Sequence, residues 1–317
     1  MKQIALGIDI GGTNTAFGLI DEDGMLLFET SLPTKSFEIP ENLVDTIYSI
    51  LNERPDFQQI IGIGIGAPNG NVFTGNIEFA PNLIWKGVVP IVQLFKDKFG
   101  VPAVLANDAN AAAIGEHLFG CAKDLKDFVT ITLGTGLGSG IFINGELLVG
   151  HNGFAGEYGH IRVIPNGRTC GCGRNGCLET YASSTGVVRS IAEFESPNKS
   201  KSALLRKEHV NAQEVFNEAD SGDVFATEII EYTAEILGAA LADFAAFSDP
   251  QAYILFGGIA QAGASFAERV QFHLEANALK IFQNKIEVRI SSLHDKNAAV
   301  LGTAASLFWH LHKNSVN

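Results

Sequence analysis

Ile4-Ala5-Leu6-Gly7-Ile8-Asp9-Ile10-Gly11-Gly12-Thr13 decides how the rest of the chain is read. The apolar run has the length and β-branched content of a buried strand, and it ends in an aspartate and paired glycines. Residues 13–20 follow with no room for a helix, Asp21-Glu22-Asp23-Gly24 turns the chain, and residues 25–30 form a third strand. Three strands joined by tight turns predict an antiparallel meander. Beyond it the spacing predicts a helix over 40–52, with Leu43, Ile47 and Ile50 on one face, and a strand over 60–65. A helix over 88–99, a strand over 103–106 and a helix over 108–118 complete this half.

The same order restarts at Phe128. Strands are expected over 128–133, 139–143 and 146–149, then a long Ala-rich helix over about 224–247 and a strand over 252–256. A helix near 262–278, a strand over 286–290 and a closing helix from Ala298 end the chain. Residue identity is not repeated, so the duplication is one of architecture. With 317 residues there is material for two lobes, each with its own core. Residues 196–210, rich in Lys and Ser, read as an exposed loop with some helix.

A formal charge of −13 counts against a nucleic-acid partner, because phosphate backbones select basic surfaces. No apolar run is long enough to span a bilayer, and the first residues lack the pattern of a signal peptide, so no membrane partner and a cytoplasmic location are expected.

Leu133-Gly134-Thr135-Gly136-Leu137-Gly138-Ser139-Gly140 is the second-half counterpart of the Gly11-Gly12 turn. A dinucleotide-binding loop with such glycines would open a helix, whereas Ile141-Phe142-Ile143 continues as strand. No Gly-Lys dipeptide occurs, which excludes a Walker-type phosphate loop. A glycine hairpin heading each half predicts phosphates clamped by backbone N–H groups. Gly257 and Gly258, after the strand at 252–256, would let a base or ribose approach the backbone.

Three of the four cysteines, Cys170, Cys172 and Cys177, lie within one glycine-rich segment preceded by His160, while Cys121 stands apart. Three thiolates and an imidazole complete a closed tetrahedral zinc shell, which orders a loop and does not activate water. Glu157 precedes His160 by three residues and Glu179 follows Cys177 by two, so the ion would hold both carboxylates near one another. Carboxylates pair naturally with vicinal sugar hydroxyls. Asn107 and Asp108 stand where a strand runs into a helix; Asp108 there serves either as a helix cap or as a base for a hydroxyl.

These stretches, with Asn107-Asp108-Ala109-Asn110, Gly156-Glu157-Tyr158-Gly159-His160 and Cys170-Gly171-Cys172-Gly173-Arg174-Asn175-Gly176-Cys177-Leu178-Glu179, resemble the ROK family of repressors and sugar kinases, and within it the bacterial glucokinases. The resemblance covers essentially the whole chain. It implies an α/β, actin-like ATPase (ribonuclease H-like) fold, two lobes with the duplicated meander-and-helix pattern around an interlobe cleft. The expected division is 1–108 joined by the closing helix 297–317, and 109–296 with the zinc site and nucleotide contacts. It implies transfer of phosphate from ATP to the 6-hydroxyl of a hexose, glucose first, with fructose, mannose or an N-acetylated amino sugar as alternatives, and a sugar-sensing regulator as the non-enzymatic one. Asp108 would be the base; Asn82, Asn107, Glu157, His160 and Glu179 would hold the sugar, with Ala67-Pro68-Asn69-Gly70 and Pro81-Asn82 as further contacts. Gly11, Gly12, Thr13, Thr135 and Gly136 would line the phosphates, Asp9 would act through Mg2+, and Gly257 and Gly258 would flank the adenosine. A homo-oligomer is the family expectation. The family's repressors carry a winged-helix domain before the first strand, and a first strand at Ile4 predicts an enzyme instead.

Overall fold

Isoleucine and glycine alternate along Ile60–Gly66, and the alternation has a physical purpose. Ile63 and Ile65 are fully buried on one side, while a Cβ on Gly64 would stand 1.7 Å from the carbonyl oxygen of Thr303. One face of this strand fills a core, and the other is bare backbone against which a helix lies.

The computed structural model describes residues 2–260, 264–293 and 298–316, with side chains to residue 313. Two units are distinct. The first comprises Met1–Asp124, Leu147–Ala155 and Ser292–Asn317, the second Leu125–Glu146 and Gly156–Ser291.

The first unit runs β1 (Ile4–Ile10), β2 (Asn14–Asp21), β3 (Leu26–Pro33), α1 (Pro40–Asn52), β4 (Ile60–Gly66), β5 (Gly70–Asn71), β6 (Asn76–Glu78), β7 (Val88–Val89), α2 (Ile91–Phe99), β8 (Ala103–Ala106) and α3 (Asp108–Phe119). Its main sheet has the order β3-β2-β1-β4-β8, antiparallel through the meander and parallel from β1 onward. The helix predicted over 88–99 starts only at Ile91, because Pro90, at the cap position, sterically pushes the preceding Val89 out of the helical region. The residues before it pair instead in a small sheet, β5-β6-β7, which the apolar pattern does not announce.

The second unit runs β9 (Phe128–Leu133), β10 (Leu137–Ile143), β11 (Glu146–Leu147, its last residue falling in the first unit), α4 (Ser184–Glu193), α5 (Ala212–Asp220), α6 (Val224–Ser248), β12 (Ala252–Phe256), α7 (Ala264–Asn277) and β13 (Glu287–Ile290). Its sheet order, β11-β10-β9-β12-β13, repeats that of the first unit strand for strand. The predicted strand over 146–149 shrinks to two residues, and α4 and α5 are additions to the expected elements. The core joins Ile131 and Leu255 of the sheet to Phe225, Leu237 and Leu241 of α6 and to Val270 and Leu274 of α7. The first residues of the helix expected near 262–278, and residues 297 and 317 of the closing helix, lie outside the described residues.

α8 (Ala298–Val316) belongs to the first unit and lies on the glycine face of β1 and β4. A Cβ on Gly7 would meet the Val300 carbonyl oxygen at 2.2 Å. On its other side α8 packs against α3, where a Cβ on Gly302 would stand 2.6 Å from the Ala111 carbonyl oxygen. This seam carries α3 with α8, so the first unit extends to Asp124 and does not stop at the expected boundary after Asp108. Residues 147–155 likewise join it, through the bond from Asn71 Nδ2 to the Asn152 carbonyl at 3.3 Å. Among the described residues no helix is long and apolar enough to cross a membrane.

Gly64→Ala is expected to cost about 3 kcal/mol or more, since the neighbour is backbone and cannot swing away. Urea unfolding of the variant with a wild-type midpoint would contradict this packing.

Candidate active site

The second unit gathers the sequence's most specific motif into one cluster. The ligand atoms of His160, Cys170, Cys172 and Cys177 all lie within 4.8 Å of one another. Cys170 Sγ is 3.6 Å from His160 Nδ1, and Cys172 Sγ is 3.7 Å from Cys177 Sγ. Zinc bonds of about 2.3 Å to sulfur and 2.0 Å to nitrogen set tetrahedron edges of roughly 3.5–3.8 Å, so the donor set fits that ion. The thiols are already differentiated. Burial pushes Cys170 up to about 12; at Cys172 burial is outweighed by hydrogen bonds from the Arg174 backbone and side chain, which hold it near 6. Because Nδ1 of His160 faces the thiols, Nε2 faces away, 3.8 Å from Glu157 Oε2.

Strand β10 is the scaffold for the residues around this cluster. Gly156 has φ +97°, and a Cβ there would strike the Ser139 carbonyl oxygen at 2.6 Å. Ser139 Oγ donates to the Gly156 carbonyl, and Tyr158 N–H donates back to that hydroxyl over 3.3 Å. Gly159 lies against the Leu137 carbonyl oxygen, 2.0 Å from where its Cβ would be. On the far side the Tyr158 ring packs on Phe244 of α6, centroids 4.0 Å apart. Glu157 and His160 therefore stand on a turn pinned by glycines, with the Glu157 side chain about half exposed. Glu179 joins the same group: its Oε1 is 3.6 Å from Cys170 Sγ, and its Oε2 accepts the Leu137 N–H over 3.1 Å.

The hairpin Gly134-Thr135-Gly136 is held from a direction that sequence spacing does not reveal. Thr185 Oγ1 donates to the Thr135 carbonyl over 2.8 Å, and Ser184 N–H donates to Gly134 O over 2.8 Å. Gly257, with φ +99°, packs on the Leu133 backbone, while the Cβ side of Gly258 is open. Arg168 is a second residue missed by sequence. It is buried, stacks on Tyr181 at 4.5 Å, and donates to Thr180 O at 2.7 Å, Gly186 O at 3.1 Å and Ser190 Oγ at 2.9 Å, with Glu193 Oε2 at 2.7 Å as counter-charge. It ties the cysteine loop to Thr180 and to α4. An isolated arginine carries no pattern, and its partners are up to 25 residues away, so only folding shows its work.

In the first unit, Asn107 is the N-cap of α3, its Oδ1 accepting the Ala109 N–H at 2.9 Å. The alternative of Asp108 as the cap is thereby resolved: Asp108 stands at the first helical position and receives the same N–H on its own Oδ1 at 2.9 Å. Its surface is open to water, yet the protein packed around it raises the carboxyl above its ordinary range, with the Ala109 N–H opposing. Asp9, partly buried at the end of β1, is pushed up to about 7, first by burial and then by the charge of Asp108. Gly12 sits on Asn82, whose carbonyl oxygen would be 2.4 Å from a Cβ there, and Gly11 N–H closes the turn onto Asn14 O at 3.0 Å. Thr13 closes the same loop, its carbonyl accepting the Thr34 N–H at 2.9 Å. Asn69 has φ +52°, and its Nδ2 donates to Glu78 O at 3.0 Å, which shapes the 67–70 loop.

Two sheets of identical order, each headed by a glycine hairpin, with a carboxylate at the C-terminal edge of a parallel strand, define a protein of the actin-like ATPase fold. The chain belongs to the ROK family, whose model matches residues 5–309. It is 36% identical over 307 residues to the glucokinase of Halalkalibacterium halodurans, covering 94% of this chain and 92% of the relative. It is 38% identical over 267 residues to the glucokinase of Streptomyces coelicolor, covering 82% and 83%. Among solved structures, a ROK family glucokinase from Streptomyces griseus in complex with glucose and AMPPNP matches with a TM-score of 0.80 at 33% identity, over 96% of this chain and 98% of that one.

Two outcomes follow from the site's geometry. The purified protein should contain about one zinc per chain by elemental analysis, and Cys177→Ser should lose it; metal-free wild type would refute the shell. A carboxyl raised from 3.8 to about 7 makes folding costlier as pH climbs through that interval, with the penalty absent below it and complete above it. Asp9→Asn should therefore raise the melting temperature of ligand-free protein at pH 8 and leave it unchanged near pH 4. An equal shift at both pH values would contradict the assignment.

Proposed function

We propose that the protein is an ATP-dependent hexokinase of the glucokinase type, converting glucose and ATP to glucose 6-phosphate and ADP. The observation that carries the reading is the convergence of Glu157, His160 Nε2 and Glu179 on one metal-donor cluster. Such a set offers two carboxylates that accept from neighbouring hydroxyls and, with Nδ1 turned to the metal donors, an imidazole N–H that donates to one, already ordered before a sugar arrives. The similarity to glucokinases over nearly the whole chain supports the same reading.

Asp108 takes the proton from the sugar's 6-hydroxyl as that oxygen bonds to the γ-phosphorus, and the bond from that phosphorus to the ADP oxygen breaks. A raised carboxyl is the stronger base for this step. Asn107, Asn82, Glu157, His160 and Glu179 orient the hexose. The turns at Gly11-Gly12-Thr13 and Thr135-Gly136 offer N–H groups to the phosphates, with Gly257 and Gly258 beside the adenosine. Zinc, where His160 and the three cysteines hold it, supplies order and no chemistry. Asp9 is the residue whose uncompensated charge suits it to Mg2+ carried in with ATP.

A coupled ADP-release assay over glucose, fructose, mannose, N-acetylmannosamine and a no-sugar control tests the reading, with glucose expected to give the highest kcat/KM. Sugar-independent turnover would refute it. Asp108→Asn should bind glucose nearly as wild type while kcat falls by about 10²–10⁴. Normal turnover in that variant would remove Asp108 from the mechanism.

A further inference from the structure

Gly134 and Gly136 occupy one hairpin, but they are glycines for different reasons. A Cβ on Gly134 would meet nothing within 4 Å. A Cβ on Gly136 would stand 2.2 Å from Glu179 Oε2 and 3.1 Å from Glu179 Cδ. Neither has the positive φ that demands glycine for the backbone itself. Space for one carboxylate is what position 136 supplies. The next residue then holds that carboxylate, through the Leu137 N–H bond to Oε2 at 3.1 Å. Leu137 also lies behind the neighbouring motif, its carbonyl oxygen 2.0 Å from the Cβ position of Gly159. Any change in the hairpin's path is therefore passed to Glu179 and to the turn bearing Glu157 and His160.

We propose that the phosphate-side hairpin is also a positioning element for the sugar: Leu137 N–H and the vacant side of Gly136 set the Glu179 carboxylate, and hexose and nucleotide affinities are coupled through it. The inference rests on reading Glu179 as a sugar-holding residue. When phosphates draw the N–H groups of Thr135 and Gly136 toward them, the carboxylate moves with the hairpin, whose Gly134 N–H is already bonded to the Gly136 carbonyl at 3.1 Å. When a sugar engages the carboxylate, the hairpin is held in turn. Such coupling is reciprocal by thermodynamic necessity. An alanine at 136 forces the carboxylate to rotate off Leu137, which removes its orientation while leaving its charge in place.

The test is calorimetric titration of glucose into zinc-loaded protein, with and without saturating AMPPNP, for wild type, Gly136→Ala and Gly134→Ala. AMPPNP should tighten glucose binding in wild type about five- to tenfold. Gly136→Ala should bind glucose at least tenfold more weakly without any nucleotide, and should lose the AMPPNP effect, with its zinc content unchanged. Gly134→Ala should bind glucose within twofold of wild type. The proposal is overturned if Gly136→Ala binds glucose normally, if Gly134→Ala loses as much, or if AMPPNP leaves wild-type glucose affinity unaltered. That last measurement needs no variant, so a poorly folding Gly136→Ala still leaves a decision. Turnover of wild type on the hexose panel judges the sugar-kinase reading separately: glucose turnover with no glucose–AMPPNP coupling sinks only this inference.

Discussion

Four donor side chains held within 4.8 Å of one another are the constraint around which the second unit's loops are arranged. Thiols and an imidazole do not crowd like this in water without a reason. Chain entropy opposes it, and ligation requires the thiols to give up their protons. A bound zinc would repay both costs, because a closed shell contributes directly to folding. Fixing His160 fixes which ring nitrogen faces outward, and fixing the cysteine loop fixes where Glu179 begins. Arg168 extends the same rigidity outward, binding the loop's stem to α4, whose first turn in turn grips the glycine hairpin.

Glycine serves in both units as a device for close approach. On β1 and β4 it admits the α8 backbone to distances no side chain permits, and at Gly302 it brings α3 onto α8. At Gly12 it seats the first hairpin on Asn82, and at Gly136 it leaves room for a carboxylate. At these positions glycine is required for close packing and not for flexibility.

Electrostatics in the first unit run against stability. The charge of Asp108 raises the cost of ionising Asp9 in surroundings that already desolvate it, and burial raises the Asp108 carboxyl in turn, within a chain of net charge −13. No cationic side chain stands among the described contacts of this pair to offset that cost. The stability given up is of the kind that active sites characteristically forgo.

The residues alone determined a good deal. The order of the main strands, the restart at Phe128 and the helix over 40–52 were legible because hydrophobic periodicity and turn residues act locally, and α1 has the expected bounds, whereas β3 runs on to Pro33 and β10 starts at Leu137, inside the expected glycine turn. The donor set His160, Cys170, Cys172 and Cys177 was legible because its ligands fall within one short stretch. The β5-β6-β7 sheet was not, since strands of two or three residues leave no period to read. Nor was the start of α2, where a single Pro90 overrides an otherwise helical run. Only the tertiary structure decided that Asn107 caps α3 and releases Asp108 from that duty, and that α3 and the stretch 147–155 belong with the first unit. Only it brought Glu179 against Leu137 and Gly136, 42 and 43 positions away. The physical reason is the same throughout: spacing along a chain reports neighbours one turn or one pleat away, whereas the groups that orient a carboxylate meet it only when distant backbone is packed against it.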